Sequence, residues 1–258
     1  SSALYRLNHD TATSRPLTRP LQELITTGLS YYEHSGGLFD ITIAPLSELW
    51  QFSSSSPAVP EETTIRDAVS RVDASKLRLD GDTLHYENPD LQLDLGGIAK
   101  GYIADRLKEY LVEQGVTSAL IDLGGNILCI GSKPDGTPFR VGIREPFAPQ
   151  GTSIEVIAVE DLSVVTSGVY ERCFTENDVL YHHLLDPKTG YPFRTGLNSV
   201  SIISETSVDG DALSTVCFAL GIEKGMELIN SMPDVYAIFV TENNELVYSE
   251  GMEAFVAK

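Results

Sequence analysis

Hydrophobic and polar residues in the first third of the chain follow both helical and strand spacings. Residues 16–34 place apolar side chains near helical spacing and predict a helix. Residues 77–86 alternate on both sides of a Gly-Asp pair and predict a hairpin. A loop rich in Ser and Pro, residues 51–64, leads into a short helix that runs through Val72.

Later segments continue this mixture of strands and helices. Residues 36–46 predict a Gly-Gly loop that runs into an alternating strand ended by Pro45. The remaining pattern predicts a strand at 91–95, a helix at 98–114, a strand at 119–122 before a turn at 124–126, strands over 140–166 and an apolar helix after Asp211. Because the elements alternate without strict βαβ repetition, we expect an α+β fold with a mixed, mostly antiparallel sheet packed with helices.

Charge and composition narrow the possible functions. The chain has 258 residues, with 18 Lys plus Arg against 37 Asp plus Glu, which gives a net charge of −19. So acidic a chain lacks the electrostatic character of a nucleic-acid binder. The sequence shows no apolar run long enough to span a bilayer and no secretion signal, so we expect a soluble protein.

Cysteine and histidine suggest no metal site of their own. Cys129, Cys173 and Cys217 are an odd number, lie in separate apolar contexts and lack the close pairs of a zinc site. We therefore expect buried free thiols, which fit a reducing compartment slightly better.

A glycine turn between an apolar segment and a helix is the first feature that suggests chemistry. Gly96-Gly97 would let the backbone approach a ligand closely, and the helix that follows presents unpaired amides that favour an anion. Lys100, one turn later, can reach the same anion. The alternative is that the glycines simply form a tight turn.

Oxygen ligands open the later apolar helix. Asp211 and Thr215 are spaced to share one helical face, and Asp209 precedes them. A carboxylate, a hydroxyl and backbone carbonyls are ligands that magnesium accepts, with water and phosphate completing the octahedron. The alternative is a capped helix, since acids and hydroxyls at a helix start satisfy amides and the dipole.

Two further segments carry aromatic and titratable groups. Leu38, Phe39 and Asp40 follow the Gly-Gly loop and are placed to frame a planar ring, although core packing is the simpler interpretation. His182 and His183 stand just before a Pro/Gly turn. A lone surface histidine usually has no function, but a histidine at a phosphate site is a candidate general base, because its pKa lies near working pH.

With these motifs in hand, the chain resembles the ApbE family of FAD:protein FMN transferases. The resemblance runs in order through the blocks 37–50, 94–105, 122–126, 166–174, 183–192 and 211–221. It implies an α+β fold that binds FAD as substrate and uses Mg²⁺ to cleave its pyrophosphate. FMN would pass to a Thr or Ser hydroxyl of an acceptor flavoprotein, a subunit of a redox complex, and AMP would leave.

The resemblance also implies roles for individual residues. The flavin and FAD contacts would be Leu38, Phe39, Asp40, Asp94, Lys100 and Leu185. The magnesium ligands would be the backbone oxygen of Gly97 and the side chains of Asp211 and Thr215. His183 would be the catalytic base, preferred over His182 because of its spacing ahead of Asp186-Pro187.

Three rival functions remain open from the sequence. These are an FAD pyrophosphatase that yields FMN and AMP, a non-catalytic FAD-binding domain, and a structural domain of a larger redox protein.

We expect a single domain over residues 1–258 that lacks the family's first N-terminal strand, because the chain begins at the interior of the family pattern. The resemblance implies a periplasmic or membrane-anchored protein, although this chain shows no signal.

Overall fold

Helices and strands alternate along the chain in a computed structural model that describes residues 2–257. The α-helices are α1 (Ala3–Asn8), α2 (Arg19–His34), α3 (Ala44–Trp50), α4 (Glu62–Val69), α5 (Ala99–Glu113) and α6 (Ser207–Asn230). The strands are β1 (Ser14–Pro16), β2 (Leu77–Asp80), β3 (Thr83–Tyr86), β4 (Ala119–Asp122), β5 (Asn126–Ile130), β6 (Phe139–Arg144), β7 (Ser153–Val159), β8 (Ser163–Gly168), β9 (Cys173–Glu176), β10 (Val179–His182), β11 (Leu197–Ser204), β12 (Tyr236–Thr241) and β13 (Leu246–Tyr248).

The described residues divide into two compact units. Unit 1 contains residues 2–96 and 171–193, and unit 2 contains residues 97–170 and 194–257. The expectation of a single domain over the whole chain stays a prediction. No helix within residues 2–257 combines the length and apolar character needed to cross a membrane.

Unit 1 is mainly helical, with two small sheets. Its three-stranded sheet has the order β1-β3-β2, and β9 pairs with β10 in a hairpin. An aromatic core forms around Trp50, whose indole Nε1 donates to the carbonyl of Gly190 at 2.8 Å and whose ring stacks on Phe52 at 5.5 Å. Leu46, Ile65 and other buried apolar residues complete this cluster.

Unit 2 is built on a six-stranded sheet of order β13-β12-β11-β8-β5-β4, in which all neighbouring strands are antiparallel. The β6–β7 hairpin adds apolar side chains to a core shared with β8, β11 and β12. Helix α6 packs on β8 and β11, and α5 packs on β5 and on α6. The predicted α+β class with mostly antiparallel sheets is confirmed.

Helix α6 contains one break. Gly221 has φ 76° and ψ −179°, which interrupts the helical conformation between Ser207 and Asn230. Only glycine adopts this backbone region without strain, so the residue fixes where the two helical segments meet.

Several sequence predictions hold and two are wrong. The helices predicted at 16–34 and 98–114, the 77–86 hairpin and the 119–122 strand correspond to α2, α5, β2–β3 and β4. The predicted strand within 36–46 is wrong, because Pro45 lies in the first turn of α3. Backbone N–H groups in the first turn have no partner within the helix, so proline, which has no N–H, is tolerated there.

The predicted strand at 91–95 is also wrong, although its side chains are alternately buried as a strand's would be. The Asn8 side chain replaces a neighbouring strand, since it accepts from Leu93 N at 2.9 Å and donates to Leu93 O at 2.8 Å. Asp94 N donates to the carbonyl of Ile41 at 2.8 Å. The backbone is therefore satisfied without a continuous ladder.

Candidate functional site

Helices α5 and α6 cross at Gly101 in unit 2. A Cβ atom built on Gly101 would lie 2.3 Å from the carbonyl oxygen of Ser207 and 2.6 Å from Val208 Cα. Both contacts are with backbone, so neither can be relieved by a side-chain rotation. The absence of a side chain at Gly101 therefore allows the first turns of the two helices to touch.

Each helix caps the other at this crossing. Asp211 of α6 accepts the backbone N–H of Gly101 through Oδ2 at 2.9 Å. Asp105 of α5 accepts the backbone N–H groups of Ser207 at 2.7 Å and Val208 at 2.9 Å. These amides belong to the first turns, which have no partner inside their own helix. The two carboxylates thus lock the helix starts together.

The Asp211 carboxylate caps α5 rather than its own helix. Helix α6 begins at Ser207, before the predicted start after Asp211, and the Asp105 carboxylate accepts the first amides of the helix. Asp209, within the first turn, accepts from the Thr206 hydroxyl. Asp211 is therefore directed toward the start of α5. Gly97 lies just before that helix, and Lys100 lies in its first turn.

Burial perturbs both of these carboxyl groups. Asp211 is 5% exposed. Burial raises the pKa of Asp211, while the Gly101 amide, the Lys100 charge and the Asn126 amide oppose that rise. Burial also raises the pKa of Asp105 against the opposing effect of the amides of Ser207 and Val208. A nearby cation would favour the charged form of such a buried carboxyl group.

A buried polar chain supports the start of α6 from the sheet. Ser207 Oγ donates to Asn126 Oδ1 at 2.7 Å, and Ser163 Oγ donates to Ser207 Oγ at 2.9 Å. The Asn126 Nδ2 group is buried and makes no hydrogen bond of standard geometry with the described residues, yet it lies near enough to Asp211 to lower the pKa of that carboxyl group. Asn126 thus presents a donor beside Asp211.

Thr215 lies one turn after Asp211 on α6 and is half-buried. Its hydroxyl oxygen is 3.2 Å from Ser167 Oγ at the end of β8. The structure therefore brings Asp211, Gly101 and the α5 start together in unit 2, with Thr215 on the next turn.

The predicted magnesium ligands in this unit come from different chemical groups. Among residues 2–257, no group of three His, Cys, Asp or Glu side chains is placed to hold a metal ion. The predicted magnesium ligands are instead one backbone oxygen, one carboxylate and one hydroxyl, from Gly97, Asp211 and Thr215. That donor set is all oxygen, as a hard cation requires.

Asp40, predicted on the flavin side, is held by hydrogen bonds inside unit 1. Its Oδ1 accepts from the amide of Thr42 at 2.7 Å and from the Thr42 hydroxyl at 2.6 Å, and its Oδ2 accepts from the amide of Ala74 at 3.1 Å. Burial raises the pKa of Asp40, and these bonds oppose the rise. Asp40 therefore fixes the loop before α3, and its contact with FAD stays a prediction.

The neighbouring loop residues differ in exposure. Phe39 is buried, with its amide donating to Ser35 Oγ at 2.9 Å and its ring 6.2 Å from that of Tyr31. Leu38 is half-buried. Asp94 is also half-buried, and its Oδ1 accepts from the amide of Gly96 at 2.8 Å, which shapes the glycine turn.

The two histidines of β10 and the following turn differ in burial. His182 is buried, with Nε2 donating to the carbonyl of Phe193 at 3.1 Å and Nδ1 accepting from the amide of Leu184 at 3.3 Å. Both ring nitrogens of His182 are therefore occupied by the backbone. His183 is half-buried, and its backbone amide donates to the carbonyl of Arg172 at 3.1 Å.

Leu185 and Asp186 enter the turn that follows. Leu185 is buried in the aromatic core of unit 1. The Asp186 carboxylate accepts from the amide of Lys188 at 2.8 Å and from the hydroxyl of Thr189 at 3.0 Å, so the predicted Pro/Gly turn is present. The role of His183 as the base stays a prediction.

The expectation of buried free thiols holds for two of the three cysteines. All three are free; Cys129 and Cys217 are buried, and Cys173 is half-buried. Burial raises the pKa of Cys129 to about 11 and that of Cys217 to about 12. Such thiols stay protonated near neutral pH and are poor nucleophiles.

Sequence reasoning missed three residues that shape unit 2. Asp105 and Asn126 are the last residues of two segments that resemble the family, and Ser167 lies within a third, but none of them was given a role from the sequence. Their roles depend on which helix or strand lies opposite, which no local spacing encodes. An acid on the buried side of α5 was the one available signal for Asp105.

Comparison with known proteins gives one consistent family. The ApbE family profile matches residues 1–239. The chain is 38% identical to the FAD:protein FMN transferase of Klebsiella pneumoniae over 96% of its own length and 78% of the relative's. It is 38% identical to the FAD:protein FMN transferase of Treponema pallidum, covering 97% of this chain and 74% of the relative.

A solved structure shares the fold. The crystal structure of the ApbE protein from Thermotoga maritima superposes with a TM-score of 0.90 at 30% identity. The match covers 100% of this chain and 84% of that one. The α+β architecture described above is therefore the architecture of this family.

Proposed function

The chain belongs to the ApbE family, and we infer that it is an FAD:protein FMN transferase. We further propose that the reaction depends on Mg²⁺, that the acceptor is a Thr or Ser hydroxyl of a flavoprotein subunit of a redox complex, and that AMP is released. The observation that supports the metal dependence best is the buried Asp211 carboxylate, placed at the first turn of α5.

The residues of unit 2 fit a hard cation. Asp211 is buried, and its pKa is raised despite the Gly101 amide and the Lys100 charge, so added positive charge would stabilise its ionised form. Thr215 supplies a hydroxyl one turn away, and Gly97 supplies a backbone oxygen just before α5. Magnesium prefers such oxygen ligands and keeps positions for phosphate oxygens and water.

Each group of unit 2 then has a defined task. A magnesium ion held by Gly97, Asp211 and Thr215 would neutralise charge that develops on the pyrophosphate as AMP leaves. Lys100 is exposed at the first turn of α5 and would pair with a phosphate oxygen. Asp105 and Gly101 hold the two helix starts in register.

We propose the base and the flavin contacts from the resemblance to the family. His183 would take the proton of the acceptor hydroxyl, while His182, bonded at both nitrogens, orients the segment. The hydroxyl oxygen forms a bond to the FMN phosphorus, the bond from phosphorus to the bridging oxygen breaks, and AMP leaves with that oxygen. The flavin contacts we propose are Leu38, Phe39, Asp40, Asp94 and Leu185.

The test is incubation of the protein with FAD and Mg²⁺, with and without an acceptor domain that carries the target threonine. Chromatography would separate AMP, FMN and protein-bound flavin. We expect AMP and covalent flavin in equal amounts, only with the acceptor and only with Mg²⁺. FMN plus AMP without acceptor would indicate an FAD pyrophosphatase, and intact FAD in both cases would indicate a non-catalytic binding domain.

Two variants of α6 make the test specific. Asp211→Asn removes the proposed ligand and should abolish turnover, whereas Asp209→Asn removes a charge two residues away that is bonded to Thr206 and should retain it. Full activity of Asp211→Asn would contradict the proposed metal site. A periplasmic or membrane-anchored location stays a prediction.

A further inference from the structure

We propose that Ser167 is a positioning residue that orients the hydroxyl of Thr215 by accepting its only proton. The lone pairs of Thr215 are then left for the cation. This inference deepens the proposed function and rests on it for the presence of a metal at Thr215. Ser167 itself would not touch the metal or the substrate.

The contacts that carry the inference form a chain of hydroxyl groups in unit 2. Thr215 Oγ1 lies 3.2 Å from Ser167 Oγ, and Ser167 Oγ lies 2.8 Å from Ser214 Oγ. Ser214 Oγ donates to the backbone carbonyl of Asp211 at 3.0 Å. The chain therefore joins the backbone of one proposed metal-ligand residue to the side chain of another.

Counting protons fixes the direction of this chain. A serine or threonine hydroxyl carries one proton, and a carbonyl oxygen can only accept. Because Ser214 gives its proton to Asp211 O, Ser214 must accept the proton of Ser167. Ser167 then has no proton left for Thr215, so Thr215 donates to Ser167.

The direction matters because a hydroxyl ligand binds a cation through its oxygen lone pairs. A proton pointed toward the metal would be repelled by the positive charge, whereas a proton held by Ser167 leaves the oxygen free to coordinate. Ser214 is buried, and Thr215 is half-buried. The chain thus runs from the interior of α6 outward to the side chain that would meet the ligand.

The sheet holds Ser167 in place. Ser167 lies on β8, paired with Val200 of β11 in an antiparallel register. Strand β8 also pairs with β5 on its other side, so it is a central strand. The adjacent residue Thr166 bonds Ser201 Oγ at 2.7 Å, which adds a side-chain contact between β8 and β11.

The test measures metal binding and needs no turnover. Mn²⁺ is the probe, because it accepts the same octahedral oxygen ligands as Mg²⁺ and its free form is counted by electron paramagnetic resonance. The protein is titrated as wild type, Ser167→Ala, Ser214→Ala, Thr215→Val and the double variant Ser167→Ala/Thr215→Val, with Ser201→Ala and Asp211→Asn for comparison. Competition with Mg²⁺ shows that both ions use one site.

We expect Ser167→Ala to raise the Mn²⁺ dissociation constant about 10-fold or more, the range found when partners of metal ligands are removed. Ser214→Ala should act in the same direction, because the freed proton of Ser167 can then be donated to Thr215. In the Thr215→Val background, Ser167→Ala should change the dissociation constant less than about twofold, since the hydroxyl it orients is absent.

A matched control separates orientation from general loss of stability. Ser201→Ala removes the hydroxyl partner of Thr166 between the same two strands and should leave Mn²⁺ affinity within about twofold of wild type. Urea unfolding of every variant identifies any protein that is not folded. A merely structural role for Ser167 would weaken binding equally in the wild-type and Thr215→Val backgrounds and would overturn the inference.

The outcomes also distinguish this inference from the proposed function. Wild-type affinity in Ser167→Ala, with weakened affinity in Thr215→Val and Asp211→Asn, would overturn the role of Ser167 and keep the metal site. Absence of Mn²⁺ binding by the wild type would overturn the metal assignment and, with it, the inference.

Discussion

Gly101→Ala is the substitution for which the structure gives the clearest magnitude. The new Cβ would lie 2.3 Å from the carbonyl oxygen of Ser207, whereas ordinary contact begins at 3.4 Å. Helices α5 and α6 would have to separate by about 1 Å, since close-packed backbone cannot absorb the overlap. That shift acts on the bonds from Gly101 N to Asp211 at 2.9 Å and from Ser207 N to Asp105 at 2.7 Å.

The energetic terms have different signs. Overpacking costs about 1–3 kcal/mol. Each hydrogen bond to a buried carboxylate that is lost costs about 1.5–3 kcal/mol. Alanine is a better helix former than glycine by about 1 kcal/mol, which offsets part of the loss. The net destabilisation expected is about 3–5 kcal/mol if the bonds to Asp211 and Asp105 are both weakened.

Thermal unfolding followed by circular dichroism measures the effect. A loss of this size should lower the Tm by about 10 °C in a protein of this length. Gly96→Ala is the matched control, because its Cβ would meet only the Asp94 side chain, at 3.0 Å, and should change the Tm by about 3 °C or less. A Gly101→Ala protein with the wild-type Tm would refute the tight crossing of α5 and α6.

Two other substitutions test buried charges. Burial raises the pKa of Asp105 above its ordinary 3.8, so the folded state keeps this proton to higher pH than the unfolded chain. The contribution of Asp105 to the free energy of unfolding therefore falls as pH rises from about 3.8 through the raised pKa. Asp105→Asn should remove this part of the pH dependence of the free energy of unfolding, measured by urea titration at a series of pH values. An unchanged pH dependence would contradict the raised pKa. Arg15 is 1% exposed and donates to the carbonyls of Leu7, Ala12 and Pro89. Arg15→Met should lower the free energy of unfolding of unit 1 by about 3 kcal/mol, read from Trp50 fluorescence, and a change below about 1 kcal/mol would argue against these bonds.

The elements that the sequence predicted correctly are those whose pattern is local. Helices α2 and α5 and the β2–β3 hairpin each show their own period in the chain, and their turn residues mark the ends. Residues 91–95 show the limit of such reasoning. Their alternate burial is genuine, but the Asn8 side chain takes the place of a partner strand, and no pattern within 91–95 reveals that.

The same distinction between local pattern and tertiary contact applies to the candidate site. The sequence by itself predicted Asp211, Thr215 and the glycine turn before Lys100 as candidate site residues, because oxygen ligands and flexible backbone leave a signature in residue type and spacing. The tertiary structure alone decided that Asp211 caps α5, that Asp105 caps α6 and that Ser167 contacts Thr215. These relations join residues far apart in the chain, and they depend on close packing at Gly101 and on strand order in the sheet, so only the folded backbone specifies them.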